Sequence, residues 1–245
     1  MQRILGQMRR AILEYDMIKD GDKVAVGVSG GKDSVLLLLA LIKLRNFIGI
    51  DFDIVAISLD PMFYKKEADF SEIQKICDEN GVPYVVKRTE FYEIIFEVRK
   101  EKSPCSLCAR MRRGLLHDTA KEMGCNVVAL GHHMDDAIET FLMNLFKEGR
   151  IGCFSPKSYL SRKDLYLIRP LIFSSERDIE NTVNRLSLPV VKSKCPMDKD
   201  TLRSDMKEFI AAREKEDPGF KERIYGAMCR GEVSGFKEII PGKKD

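Results

Sequence analysis

The chain has 245 residues, 44% hydrophobic and 32% charged, with a formal net charge of +3. Such a length holds one α/β domain with a full core and a small appendage, and so small a net charge does not by itself announce a nucleic-acid partner. With no run of 18 apolar residues, no signal-type apolar segment near Arg3, Arg9, Arg10, Glu14 and Asp16, and seven cysteines that read as reduced, the composition excludes a membrane span and points to a cytoplasmic protein.

In chain order, residues 1–19 read as an amphipathic helix that is able to pack across a homodimer interface. Residues 24–28 are a short apolar strand ending in a glycine-rich turn, and 35–44 follow as helix. A second strand spans 52–59. Residues 70–79 form an amphipathic helix closed by Asn80-Gly81, and 82–86 make a third strand. A helix over 106–123 precedes a fourth strand at 126–131. The apolar helix 135–147 then carries Ile138, Phe141, Leu142, Leu145 and Phe146 on one side. Residues 149–164 look like a surface loop, and 165–168 a fifth strand. Residues 201–228 read as helix interrupted at Pro218-Gly219, and 241–245 as a frayed tail. The expected organisation is an N-terminal helix (1–20), a main domain (21–200) and a C-terminal helical extension (201–245).

Alternating strands and helices call for a doubly wound, mainly parallel five-stranded α/β sheet of Rossmann type. Ligands sit at the carboxyl ends of strands in such sheets. Three segments directly follow strands: 29–34, 58–60 beginning at Ser58, and 131–136 beginning at Gly131. They should converge on one crevice.

The turn Ser29-Gly30-Gly31-Lys32-Asp33-Ser34 is neither a Walker A loop nor a G-x-G-x-x-G fingerprint. It remains a tight glycine turn whose amides, with the following helix N-terminus, can surround an anion. Ser29 and Ser34 add hydroxyls and Lys32 adds charge. Asp33 is out of place in a pure anion site unless it helps hold Mg²⁺. The plainer alternative is a glycine turn capped by Ser29. Similarly, Asp135 and Asp136 in G-H-H-M-D-D either cap a helix N-terminus or serve as Mg²⁺ ligand and acid/base at a reacting base.

Cys105 and Cys108 in P-C-S-L-C form a C-x-x-C pair, which alone fits a redox pair, half a zinc site or part of a cluster. Their place at a helix start near Arg110, Arg112 and Arg113 favours thiolates. Cys77, Cys125 and Cys229 read as buried structural thiols, Cys153 is undecided, and Cys195 stands in a charged loop.

The hexapeptide resembles the PP-loop of ATP pyrophosphatases. Together with P-C-S-L-C-A-R-M-R-R-G-L-L and G-H-H-M-D-D, the region 21–210 resembles the TtcA family of tRNA 2-thiocytidine synthetases. The resemblance implies a 4Fe–4S cluster on Cys105, Cys108 and Cys195, and ATP with Mg²⁺ in the PP-loop. Asp135, Asp136 and Arg112 become the expected catalytic groups. The family's reaction adenylates the C2 oxygen of a tRNA pyrimidine and inserts sulfur there. The implied donor is a cysteine desulfurase system or free sulfide. Arg9, Arg10, Lys65, Lys66, Arg110, Arg112, Arg113, Lys192 and Lys194 are candidates for the tRNA phosphates. Met134 stands where the thiocytidine enzymes usually carry arginine, so cytidine and uridine both stay open. So do two other readings, a lysidine synthetase-like ligase without sulfur chemistry and a non-catalytic metal-binding RNA-interaction module.

Overall fold

Apolar runs without alternation fit strands covered on both faces, and that is how they assemble in a computed structural model describing residues 1–102, 104–192, 194–197 and 202–237. The strands are β1 (Asp22–Gly27), β2 (Phe52–Asp60), β3 (Tyr84–Arg88), β4 (Val127–Ala129), β5 (Lys157–Leu160) and β6 (Leu165–Ile168). They form one sheet in the order β3-β2-β1-β4-β6-β5. All pairings are parallel except β5 with β6. The central strand β1 has β2 on one side and β4 on the other, with Val24 level with Ile54 and Val127. That is the switch point at which parallel sheets open a crevice.

The sixth strand corrects the five-stranded expectation. The polar segment K-S-Y-L, with S-R-K-D after it, reads as loop because an edge strand needs only one buried neighbour. Here it closes a hairpin whose Tyr159 and Tyr166 rings lie 5.0 Å apart.

The helices are α1 (Gln2–Glu14), α2 (Lys32–Arg45), α3 (Ser71–Glu79), α4 (Pro104–Glu122), α5 (Met134–Lys147), α6 (Glu176–Arg185), α7 (Leu202–Glu216) and α8 (Phe220–Arg230). Apolar residues surround α2, and Leu36, Leu37, Leu38 and Leu41 are all buried, so it is the central helix of the larger core. Ile4, Met8, Ala11 and Ile12 of α1 join that core at helical spacing. This face of α1 is buried within the chain. Alternate strand residues face the other way: Ala25, Val55 and Val128 pack with Leu116 and Ala120 of α4.

Helix α6 was not evident in sequence, being mostly polar, with Ile179 and Val183 as its buried apolar contacts. Ser175 caps it by accepting from the Asp178 amide at 3.1 Å. Pro218 and Gly219 separate α7 from α8 as their chemistry requires, Gly219 at φ +86°. The tail 241–245 lies outside the described residues. Cys77, Cys125 and Cys229 are buried, as expected.

Candidate active site

After β1 the chain turns through Val28, Ser29 and Gly30, and Gly31 becomes the N-cap of α2. Gly30 has φ +86°, and a Cβ there would lie 2.7 Å from the Cβ of Val191. Left-handed backbone and close approach both require glycine. The buried Ser34 hydroxyl donates to the Gly31 carbonyl at 2.9 Å, accepts from the Ser29 amide at 3.1 Å and lies 3.1 Å from the Ser29 hydroxyl. Ser34 thus shapes the turn, while Ser29 is exposed at its mouth. The first amides of α2 have no partner within the helix, and its positive dipole end adds to them.

The β4 exit meets this turn directly. A Cβ on Gly131 would stand 3.1 Å from the Asp33 carbonyl carbon and 3.2 Å from the Ser34 amide nitrogen, so glycine lets the two loops touch. Between them runs a row of titratable groups. His133 Nε2 lies 3.8 Å from Asp33 Oδ1 and 3.5 Å from Asp136 Oδ2. Asp33 Oδ1 is buried without a hydrogen-bond donor, although Lys32 Nζ lies 3.4 Å away. A buried carboxylate oxygen without a donor fits a divalent cation as its missing partner.

Both aspartates at the start of α5 are engaged. Asp136 Oδ2 accepts from the His133 amide at 2.9 Å, which is the capping contact, and Asp136 Oδ1 accepts from Arg203 of α7 at 2.7 Å. Asp135 is 4% exposed. Its Oδ2 accepts from the Glu176 amide at 2.7 Å and its Oδ1 from Lys221 Nζ at 2.6 Å. It ties α5 to the start of α6 and to α8. Lys32 is held by Glu176 at 3.0 Å, and Lys207 reaches the same oxygen at 2.6 Å. Burial would raise the Glu176 carboxyl, but hydrogen bonds from Lys207 and Lys32 outweigh it and bring its pKa down to about 2.

On the β2 side, Ser58 is completely buried. Its hydroxyl donates to the Val28 carbonyl at 2.6 Å and lies 2.7 Å from the Tyr84 hydroxyl. It fixes the exit of β1 and has no surface for a ligand. Asp60 closes the following turn, accepting from the Met62 and Ala68 amides at 2.9 and 2.8 Å. Beyond it opens a cavity of about 410 Å³, lined by Ser29, Gly31, Leu59, Phe63, Arg112 and Lys194 among others. A second, more apolar cavity of about 180 Å³ adjoins it, sharing Ser29, Leu59 and Arg112 and adding Gly27, Leu116, His117 and Leu130. A flat base and a polyphosphate need this combination of an apolar slot beside a polar mouth.

The sequence neighbours of three cysteines line that mouth: Lys194 adjoins Cys195, and Arg112 lies one turn beyond Cys108 and hydrogen-bonds it. Cys105 and Cys108 occupy the first turn of α4, which opens at Pro104. Cys195 arrives from the far end of the sequence because Val191 donates its amide to the Gly30 carbonyl at 2.9 Å. Lys192 and Lys194 then line the cavity. The Cys108 thiol reports the convergence: burial raises its pKa, the nearby Arg112 opposes this partly through a hydrogen bond, and Cys195 and Cys105 both raise it further. Binding a metal there would release the thiol proton. Among the described residues no three His, Cys, Asp or Glu side chains converge on one point as ligands of a single ion. A four-iron cluster takes its thiolates on different irons, so spaced donors around a pocket mouth suit it.

Sequence reasoning missed Glu139 on α5 and the cations and acid supplied by later elements: Glu176, Arg203, Lys207 and Lys221. Arg203 bridges Asp136 and Glu139, at 2.7 and 2.8 Å. Nothing local marks these, since ordinary surface helices carry the same residues. Arg169 had a signal, an arginine before Pro170 at a strand exit. It is 7% exposed, stands 4.7 Å over the Phe154 ring and leaves its Nε without a partner. Burial, with Arg169 nearby, pushes His132 down to about 4, so it is neutral at physiological pH.

The PP-loop domain family matches residues 3–213. A tRNA-cytidine(32) 2-sulfurtransferase of Pelobacter propionicus is 38% identical over 230 residues, covering 93% of this chain and 85% of the relative. One from Geotalea daltonii is 41% identical over 231 residues, covering 93% and 91%. Among solved structures, the U34-tRNA thiolase NcsA of Methanococcus maripaludis, with its [4Fe–4S] cluster, superposes with a TM-score of 0.72 at 25% identity, covering 93% of this chain and 78% of that one.

Proposed function

The chain belongs to the TtcA family of PP-loop proteins, and from that premise we propose that it thiolates a tRNA pyrimidine, cytidine 32 by its relatives' names, using ATP and a [4Fe–4S] cluster. The observation that supports this reading is that Lys194, next to Cys195, and Arg112, which hydrogen-bonds Cys108, line one cavity with Ser29 and Gly31 of the phosphate turn. An adenylating ligase without sulfur chemistry has no use for those cysteines.

In this reading the base of ATP enters the apolar slot between Leu59, Leu116 and Leu130, and the phosphates meet the turn at residues 29–34 and the N-terminus of α2. Asp33 and Asp136 would hold Mg²⁺, for which the donorless Asp33 Oδ1 is suited. The C2 oxygen of the target base attacks the α-phosphorus, the bond to the β-phosphate breaks, and pyrophosphate leaves. Lys32, released from Glu176 by the incoming phosphates, neutralises charge developing there. Attack of sulfur at C2 then breaks the C2–O bond and expels AMP. Arg112, lining both cavities and touching Cys108, stands between the nucleotide and the sulfur chemistry. Asp135 is a positioning residue that holds α6 and α8 against α5.

Cys105, Cys108 and Cys195 would hold the cluster, which supplies an iron site without a protein ligand for a sulfur atom. The donor of that sulfur is a cysteine desulfurase system or free sulfide, and the reaction belongs in the cytoplasm with its tRNA. Anaerobic purification tests the assignment. The wild-type chain should carry about four irons, as a [4Fe–4S] centre does, and restore 2-thiocytidine to tRNA from a strain lacking it. Cys195→Ala should lose both. Unchanged iron in Cys195→Ala removes it from the ligand set and leaves the ligase reading.

A further inference from the structure

At the rim of the larger cavity begins a row of rings that the catalytic reading does not use. Phe63 lines the cavity, and its ring meets Tyr92 edge-on at 6.1 Å. Tyr92 lies 5.0 Å from Tyr64 on one side and is stacked on Phe96 at 5.4 Å and 29° on the other. Tyr64 is 53% exposed, far more than a core aromatic of this size.

The backbone presents these rings. Met62, Tyr64 and Lys65 all have left-handed φ, at +55°, +56° and +57°. Three non-glycine residues held this way within four positions is strain of the kind that collects at binding loops. Tyr92 precedes and Phe96 lies within a π-helical segment, Glu93–Val98, a second irregularity common at functional sites. The two pieces are joined to the site itself: the Tyr92 amide donates to the Pro61 carbonyl at 3.2 Å and the Thr89 amide to the Asp60 carbonyl at 2.9 Å. Charge along the row is cancelled locally. Lys65 lies 3.5 Å from Glu97 and 3.9 Å from Glu93, and Arg88 2.7 Å from Glu67. The surface is aromatic and close to neutral, which suits the faces of bases and not phosphates.

We propose that the Tyr64–Tyr92–Phe96 row is a stacking platform for unpaired bases of the RNA loop that delivers its target base to the adjoining cavity. The proposal rests on the tRNA-thiolation reading. A base entering the cavity leaves its stack, and its neighbours are then splayed beside the rim where these rings stand. Aromatic side chains replace that stacking without demanding a sequence.

The test measures affinity of the anaerobically purified full chain for an unmodified anticodon stem-loop hairpin, by fluorescence anisotropy at two salt concentrations. Tyr64→Ala should weaken binding roughly 5- to 100-fold, the range for loss of one base–aromatic stack. The salt slope should not change, because no phosphate contact is lost. Tyr64→Phe should bind like wild type, and ATP affinity should be the same in all three proteins. Wild-type hairpin affinity in Tyr64→Ala overturns the platform while leaving thiolation standing. So does an equal loss on a fully paired RNA duplex, or a shallower salt slope. Should the wild-type chain itself fail to bind the hairpin, both the platform and the tRNA reading fall.

Discussion

Replacing Gly30 with alanine tests the joint on which the whole site depends. At φ +86° an L-residue costs about 1–2 kcal/mol. The new methyl would also stand 2.7 Å from the Val191 Cβ, an overlap that cores relieve at about 1–3 kcal/mol. A total of about 3 kcal/mol corresponds to a fall in Tm of roughly 9 °C for a domain of this size. The chain has one cheaper escape. Val191 undocks, which breaks the bond from its amide to the Gly30 carbonyl and moves the segment that leads to Cys195. Two readouts therefore go together, melting followed by circular dichroism and iron per chain after anaerobic reconstitution. Gly30→Ala should lose stability, iron, or both. A variant that melts within about 2 °C of wild type and retains its full iron would refute the claim that this contact seats the third cysteine.

Asp135→Ala leaves the half-buried Lys221 without its carboxylate and the Glu176 amide without an acceptor, so it should destabilise by about 1–3 kcal/mol. Asp136→Ala, whose partner Arg203 keeps Glu139, should melt closer to wild type while losing pyrophosphate release. Comparing the two melting curves separates positioning from chemistry. Two groups contribute to the pH dependence of stability over stated windows. His132 has its folded pKa lowered to about 4 from an ordinary 6.5, so the unfolded chain binds the proton first and stability falls as pH drops from 6.5 to 4. Glu176 is depressed from 4.5 to about 2, so its contribution is complete above pH 4.5 and is lost between there and pH 2. Urea titrations across this range should show His132→Asn flattening the upper part alone; an unchanged upper slope would refute the assignment.

What the sequence determined by itself was whatever local chemistry fixes. Continuous apolar runs fix parallel strands, a double glycine after the first of them fixes a tight turn into a helix, and Pro218-Gly219 breaks α7 from α8. The glycine turn also marked Ser29 and Gly31, which line one cavity together with Arg112. Side-chain duty was decided only by the assembled fold. Ser58 follows a strand as a ligand-binding serine would, yet its hydroxyl is spent between Val28 and Tyr84. Asp135 and Asp136 are adjacent and alike in sequence, but a helix turns adjacent residues about 100° apart. One therefore faces Lys221 and the start of α6, and the other faces Arg203 and His133. Most of all, no local signal brings Cys195 to residues about ninety positions earlier. The Val191 amide bound to the Gly30 carbonyl anchors the segment that leads to Cys195 against the phosphate turn, and only tertiary packing could place it there.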